Sequence, residues 1–238
     1  MLLARLIERP LCGPRRPVTP YITQCVCRAA FVILGIAFAR TGAVMRGHGA
    51  VVANHVSWLD IFALNACQRI RFVSKSEVAG WPAIGWLARA TGTVFIRRDA
   101  KEARAQTGLL ARHLAVGERL LFFPEGTSTD GLRVLPFKPT LFAALFQGDL
   151  DDAMTVQPVT VVYRAPSGEP APFYGWWGDM GFGAHLLKVL AARRQGSVRV
   201  IFHPPVRVAD FADRKALACH CETAVRGGFG RGSILPDG

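Results

Sequence analysis

The 238-residue chain has few acidic side chains and no cysteine spacing typical of a structural zinc site. It contains 17 Asp and Glu residues against 29 Lys and Arg residues, which gives a formal net charge of +12. Such a charge predicts anionic partners: a lipid surface, an acidic carrier protein or nucleic acid. The paired cysteines are C-x-C (Cys25/Cys27 and Cys219/Cys221), whereas zinc ligands are usually separated by two to four residues. We therefore predict free thiols in a reducing compartment and no bound metal.

The sequence also lacks an uninterrupted apolar run long enough to cross a bilayer. A spanning helix needs about 20 predominantly apolar residues, but only 11 residues separate Arg28 from Arg40. The pattern favours a membrane-associated helical segment over residues 21–45; a true span and a buried soluble helix are the alternatives. Residues 1–20, rich in arginine and proline, predict a mobile basic arm. Together these segments predict the cytoplasmic face of the inner membrane.

From residue 49 onward, short β-branched or aromatic runs alternate with stretches of helical periodicity. This alternation is typical of βαβ units. The predicted fold class is therefore α/β: a mainly parallel central sheet flanked by helices, with the membrane-associated segment at its N-terminus. We expect one domain over residues 46–225. The glycine-rich residues 226–238 predict a disordered tail.

Three polar clusters follow predicted strands. They are Asn54–Asp60, Arg97–Arg98 and Glu125–Thr129. Sites of parallel α/β sheets lie beyond the carboxyl ends of the strands. The positions of the three clusters therefore predict that they share one cleft.

The first cluster, NHVSWLD, contains a histidine and an aspartate with four residues between them. If a helix begins near Val56 or Ser57, Asp60 can fold back onto the ring of His55. The carboxylate would then orient the imidazole and stabilise its charged form, leaving the other nitrogen free to take a proton from a hydroxyl. With no serine in the arrangement, the nucleophile would be a substrate hydroxyl. A purely structural His–Asp pair is the alternative.

The other two clusters suit anionic groups. The sequence GTVFIRR ends in two arginines, and paired guanidinium groups at a strand end suit a phosphate or a carboxylate. In FFPEGTSTDG, a polar turn around Gly126 offers backbone amides to an anion or oxyanion. Glu125, next to apolar residues, either binds a substrate hydroxyl or anchors the loop.

These stretches resemble, in order, the four motifs of the PlsC-like glycerolipid acyltransferases. NHVSWLD resembles N-H-x-x-x-x-D, GTVFIRR resembles G-x-x-F-I-x-R, and FPEGT resembles the start of F-P-E-G-T-R-S. The stretch VQPVTV, residues 156–161, is similar to the fourth motif, a short strand with a central proline. The resemblance covers roughly residues 47–165, and four motifs in register favour a catalytic His55 over a structural one.

The resemblance implies a reaction and a role for each motif. His55 would be the general base and Asp60 its orienting partner, while the acceptor hydroxyl of a lyso-lipid attacks the thioester of acyl-CoA or acyl carrier protein. It implies neither a metal nor a cofactor. The implied partners are the lyso-lipid, the acyl donor and an anionic membrane surface, without nucleic acid. The substrate-binding residues implied by the motifs are Arg97, Arg98, Glu125, Gly126, Thr127, Ser128 and Pro158.

The chain departs from the family pattern at Ser128, where the family usually has arginine. In the family this arginine helps to hold the acceptor phosphate. Its loss leaves Arg97, Arg98, Arg133 and Lys138 as substitutes. The sequence resembles a bacterial branch that includes lyso-ornithine lipid acyltransferases, whose acceptor lacks phosphorus. The expected acceptor is therefore lyso-ornithine lipid, 1-acyl-sn-glycerol-3-phosphate or both; a strict lysophosphatidate acyltransferase is the alternative.

Two other classes of function share some of these features. The net charge and an RGG-like terminus would suit a nucleic-acid-binding protein, although no recognisable nucleic-acid fold accompanies them. A hydrolase would use the same histidine to activate water. The adjacent Trp176 and Trp177 suit either a membrane interface or the core.

Overall fold

The computed structural model describes residues 2–12, 16–47, 49–81, 84–97, 103–147 and 154–234. Strands and helices alternate through most of this chain. The strands are β1 (Ala37–Thr41), β2 (Gly49–Ala53), β3 (Arg71–Lys75), β4 (Val94–Ile96), β5 (Arg119–Phe122), β6 (Thr155–Arg164), β7 (Ser197–Phe202) and β8 (Val206–Arg207). The helices are α1 (Leu2–Cys12), α2 (Thr19–Leu34), α3 (Leu59–Cys67), α4 (Ile84–Ala90), α5 (Ala103–Ala115), α6 (Phe182–Ala191) and α7 (Arg214–Ile234).

The strands of the described chain form one sheet in the order β1-β7-β6-β2-β5-β3-β4, with β8 paired to β6. The pairings are parallel except for β6 with β7 and β6 with β8. The prediction of a mainly parallel central sheet flanked by helices is therefore confirmed. Strand β2 lies between β5 and β6, so the first motif leaves the centre of the sheet.

The sheet separates two hydrophobic cores. All five residues of β2 are buried, and its side chains alternate between the two faces, as the period of a strand requires. Val51 and Ala53 contact the core that contains Leu64 and Val189. Ala50 and Val52 contact the opposite core, whose buried members include Leu114, Phe142 and Leu217. Both faces of the strand are thus covered.

Helix α1 occupies part of the segment for which the sequence predicts a mobile arm. Its buried Glu8 accepts hydrogen bonds from the backbone N–H groups of Val18 (2.7 Å) and Thr19 (3.1 Å) and from the Thr19 hydroxyl (2.6 Å). Burial alone would raise the pKa of Glu8, but these bonds outweigh it and lower the pKa to about 2. The carboxylate thus binds the first backbone amides of α2 and fixes the two helices relative to each other.

The predicted segment 21–45 comprises most of α2 and the edge strand β1. One stripe of α2 is buried at four-residue spacing: Thr19, Thr23, Cys27 and Phe31. The polar Gln24 and Arg28, which interrupt the apolar run, both donate to the carbonyl of Ala66 at the end of α3. Within the described residues, no helix is long and apolar enough to cross a membrane.

The prediction of a disordered tail from residue 226 is wrong for the residues that the structure describes, because α7 continues to Ile234. Val225 is fully buried, and Phe229 packs against the same core. Gly228 lies so close to Thr160 and His203 that a side chain there would collide with both. The glycine therefore permits close packing of the helix on the sheet. Residues 235–238 of the predicted tail lie outside the described residues.

Candidate active site

A cavity of about 840 Å³ lies beyond the carboxyl ends of the strands. His55, which follows β2, lines it together with Gly126, Thr127 and Ser128, which follow β5. The remaining walls are largely apolar and aromatic and include Phe123, Trp81, Trp176 and Phe182. This edge of a parallel sheet is where ligand sites are expected.

The ring of His55 is held by a single carboxylate oxygen of Asp60. The distance from Nδ1 to Oδ2 is 2.7 Å, and the same oxygen accepts the backbone N–H groups of Val56 (2.7 Å) and Ser57 (3.0 Å). Asp60 is fully buried in the first turn of α3, whereas the His55 side chain is 20% exposed. An ionised carboxylate only accepts, so this contact requires a proton on Nδ1; in the neutral ring the lone pair then lies on Nε2.

Two further contacts fix the histidine. Its ring stacks on Phe123, with centroids 4.0 Å apart and an interplanar angle of 10°. Its backbone carbonyl accepts the N–H (3.0 Å) and the hydroxyl (3.2 Å) of Thr129. The ring and the backbone of His55 are therefore both positioned by the third motif.

Glu125 anchors loops in this structure. Its Oε1 accepts the backbone N–H of His55 (2.6 Å), and its Oε2 accepts that of Leu135 (2.7 Å). The residue is 2% exposed and is not among those that line the cavity. Burial raises its pKa to about 7, against the lowering effect of the two N–H groups. Of the two roles considered from the sequence, these contacts support the anchoring role.

The predicted substrate residues are only partly brought together. Gly126, Thr127 and Ser128 line the cavity, and Gly126 adopts a φ of 78°, which favours glycine. The Gly126 N–H donates to the carbonyl of Phe123 at 3.1 Å, so this amide closes a turn. Arg97 is exposed just beyond β4 and is not a lining residue, whereas Arg98 lies outside the described residues.

The fourth motif supports the site from beneath. Pro158 is buried in β6 opposite Val52, and its carbonyl accepts the N–H of His203 at 3.0 Å. Beside it, the Asn54 side chain donates to the carbonyl of Val161 (2.8 Å) and accepts from the N–H of the same residue (2.7 Å). Asn54 thus continues the pairing of β2 with β6 where the β2 backbone turns away.

Tyr163 is a site residue that the sequence did not reveal. Its hydroxyl is buried beside Asp60, and within the described residues neither this hydroxyl nor the buried Asp60 Oδ1 makes a hydrogen bond. Burial, and then the negative charge of Asp60, raise the pKa of Tyr163 well above its usual value. A neutral phenol at this place can donate to the carboxylate oxygen that does not contact His55. The alternation of β6 predicts which face Tyr163 occupies, but not that Asp60 lies there.

Aromatic residues form another part of the cavity wall; the sequence left Trp176 and Trp177 between a membrane interface and the core, and did not single out Trp81 or Phe182. Trp81 and Trp176 meet edge to face with centroids 5.9 Å apart, and Trp176 meets Phe182 in the same manner at 6.0 Å. The Trp176 backbone N–H donates to the carbonyl of Val56 at 2.9 Å. The two tryptophans Trp176 and Trp177 therefore form part of the cavity wall, next to the first motif.

Comparison with known proteins identifies the family. The sequence model described as "Acyltransferase" matches residues 37–162, more than half of the chain. The chain belongs to the acyltransferase family. The acyltransferase is 62% identical over 232 residues to the lyso-ornithine lipid O-acyltransferase of Rhodobacter capsulatus, covering 98% of this chain and 84% of the relative.

More distant relatives agree with this assignment. The acyltransferase is 35% identical over 179 residues to the 1-acyl-sn-glycerol-3-phosphate acyltransferase of Neisseria meningitidis, covering 74% of this chain and 67% of the relative. The crystal structure of the acyltransferase PlsC from Thermotoga maritima superposes with a TM-score of 0.67. The superposition covers 92% of this chain and 81% of the PlsC chain at 22% sequence identity, which supports the fold.

Replacing Glu125 by Gln should reduce the pH dependence of stability. A carboxyl whose pKa rises on folding favours the folded state when protonated, so wild-type stability falls as pH rises from the usual Glu value towards about 7. Glutamine resembles the protonated form, and the variant should therefore lose less stability between pH 5 and pH 8 in urea unfolding. The exposed Glu169→Gln serves as the matched control. Equal slopes in wild type and Glu125→Gln would contradict a raised pKa.

Replacing Tyr163 by Phe should slow the reaction without weakening substrate binding. A phenol that turns to donate to Asp60 Oδ1 would be lost in this variant, and the carboxylate would hold the His55 ring less firmly; we then expect kcat to fall about tenfold with KM unchanged. The measurement is steady-state acyl transfer across pH, with Tyr21→Phe, on the exposed side of α2, as the control. A kcat equal to that of wild type at every pH would refute this role.

Proposed function

We propose that this acyltransferase moves a fatty acyl group from acyl carrier protein or acyl-CoA to the free hydroxyl of a lyso-lipid. Lyso-ornithine lipid is the proposed main acceptor, with 1-acyl-sn-glycerol-3-phosphate as a second one. The 62% identity to the Rhodobacter capsulatus enzyme over nearly the whole chain carries this proposal. Ser128, at the place where the family usually has a phosphate-binding arginine, supports an acceptor without phosphate.

The geometry around His55 supports a base-assisted acyl transfer. In the proposed reaction, Nε2 removes the proton from the acceptor hydroxyl while the oxygen attacks the thioester carbonyl carbon. A carbon–oxygen bond forms, the carbon–sulfur bond breaks, and the leaving thiolate takes the proton back from the imidazolium. The products are an ester and a free thiol. Throughout the reaction the Asp60 carboxylate accepts the hydrogen bond from Nδ1–H, and its negative charge stabilises the imidazolium.

The proposed acceptor assignment is tested by offering lyso-ornithine lipid and 1-acyl-sn-glycerol-3-phosphate in parallel to purified wild type, each with both acyl donors. We expect product from lyso-ornithine lipid with the higher kcat/KM. His55→Ala should lose about 10³-fold in kcat, the range of general base catalysis, whereas His220→Ala, on the exposed side of α7, should not. Transfer to neither acceptor would refute the acceptor assignment, release of free fatty acid alone would indicate a hydrolase, and an active His55→Ala would refute the base.

We further propose that the enzyme lies on the cytoplasmic face of the inner membrane, bound through its N-terminal helices. Helix α1 exposes an apolar stripe at helical spacing: Leu3 (79%), Leu6 (71%), Ile7 (64%) and Leu11 (77%). An amphipathic helix of this kind inserts its apolar face at the boundary between headgroups and acyl chains. The net charge of +12 would add attraction to anionic lipids.

Membrane binding through α1 predicts that Leu6→Gln combined with Leu11→Gln will weaken flotation with vesicles containing anionic lipid at least about fivefold, because apolar area leaves the bilayer. Leu132→Gln, a single substitution of the same kind on an exposed loop outside α1, is the control. Unchanged flotation of the double variant would refute α1 as the binding element.

A further inference from the structure

The charged side chains around the cavity do not suit a phosphate group. Among the described residues that line it, the Lys, Arg, Asp and Glu side chains are Lys75, Glu77 and Asp179. Among these described residues, a doubly charged phosphate would meet one ammonium group and two carboxylates. Like charges brought together in a partly shielded cavity repel. Ser128, which also lines the cavity, adds no positive charge.

The three charges reach the cavity from two segments. Lys75 is the last residue of β3, and Glu77 follows in the 3-10 turn Ser76–Gly80. Asp179 lies in the loop between β6 and α6, two residues after Trp177. Lys75 and Glu77 are two residues apart, so their Cα atoms lie at most about 7 Å from each other. A positive and a negative side chain therefore belong to the same part of the cavity wall.

An acylated ornithine offers the complementary charges. With its α-nitrogen in an amide, ornithine keeps a free carboxylate and, beyond three methylene groups, a free ammonium. The ammonium suits carboxylates and the faces of indole rings, and the cavity is lined by both: by Glu77 and Asp179, and by Trp81, Trp176 and Trp177. The carboxylate suits an ammonium group such as that of Lys75.

We propose that the cavity recognises the acceptor headgroup as a zwitterion, with Glu77 and Asp179 binding its ammonium and Lys75 binding its carboxylate. This inference rests on the proposed function, because it concerns the acceptor of that reaction. It assigns acceptor choice to the wall formed by β3, its following turn and the loop before α6. The discrimination against phosphate then comes from the two carboxylates as well as from the absent arginine.

The decisive experiment compares two acceptors that differ only in the ammonium group. Lyso-ornithine lipid and its norvaline counterpart, in which hydrogen replaces the ammonium, are offered to wild type and to the double variant Glu77→Gln/Asp179→Asn. Wild type should prefer the ornithine acceptor about tenfold in kcat/KM, as expected for a charge-assisted contact in a partly exposed site. In the double variant the preference should fall to about twofold or less. This comparison of two acceptors on two enzyme forms is a double-mutant cycle, which isolates the interaction between the ammonium group and the two carboxylates.

The carboxylate contact is tested in a second comparison. Lyso-ornithine lipid and the methyl ester of its carboxylate are offered to wild type and to Lys75→Gln. Glu169→Gln removes a carboxylate outside the cavity and should keep the wild-type preference for ornithine. Thermal unfolding of each variant separates a lost contact from a lost fold.

The outcomes distinguish this inference from the proposed function. Turnover of lyso-ornithine lipid at the same rate as the norvaline compound would overturn the headgroup assignment and leave the function standing. An undiminished preference in the double variant would also overturn it. No turnover of lyso-ornithine lipid by wild type would overturn both.

Discussion

The site depends on one carboxylate oxygen that serves three donors. Asp60 Oδ2 accepts the imidazole Nδ1 of His55 and the backbone amides of Val56 and Ser57. These amides belong to the turn before Trp58, the N-cap residue of α3. The same bonds that close this turn therefore hold the carboxylate in place. Orientation of the His55 ring and the local fold of the first motif are a single arrangement.

Neighbouring motifs stabilise this arrangement from separate directions. Glu125 holds the backbone of His55, and Phe123 covers one face of its ring. The buried hydroxyl of Tyr163 lies beside Asp60. Each contact comes from a strand adjacent to β2 in the sheet or from the loop that follows it. The order of the strands thus explains why motifs distant in sequence act on one side chain.

Sequence reasoning succeeded for the polar groups that follow the apolar strands β2 and β5, but not for Arg97 after β4, which is exposed and does not line the cavity. The buried runs of β2, β5 and β6 indicated the sheet, and the rule for strand ends placed His55 and residues 126–128 at one edge. It failed where the outcome depends on packing between distant segments. Glycine content suggested a tail, but Gly228 permits close contact with the sheet. Similarly, Glu77 and Trp176 belong to no motif, and only the tertiary fold brings them to the wall of the cavity.

Asn54 has a consequence for how His55 reaches the cavity. A carboxamide presents an acceptor and a donor side by side, as a peptide group does, and Asn54 uses both on Val161. The main chain is thereby freed from the sheet one residue before the histidine, while β6 continues without an unsatisfied peptide group. Aspartate would lack the donor and leucine would lack both groups. The Asn54 side chain therefore replaces a backbone peptide group in the sheet at the residue where the main chain leaves β2 for the cavity.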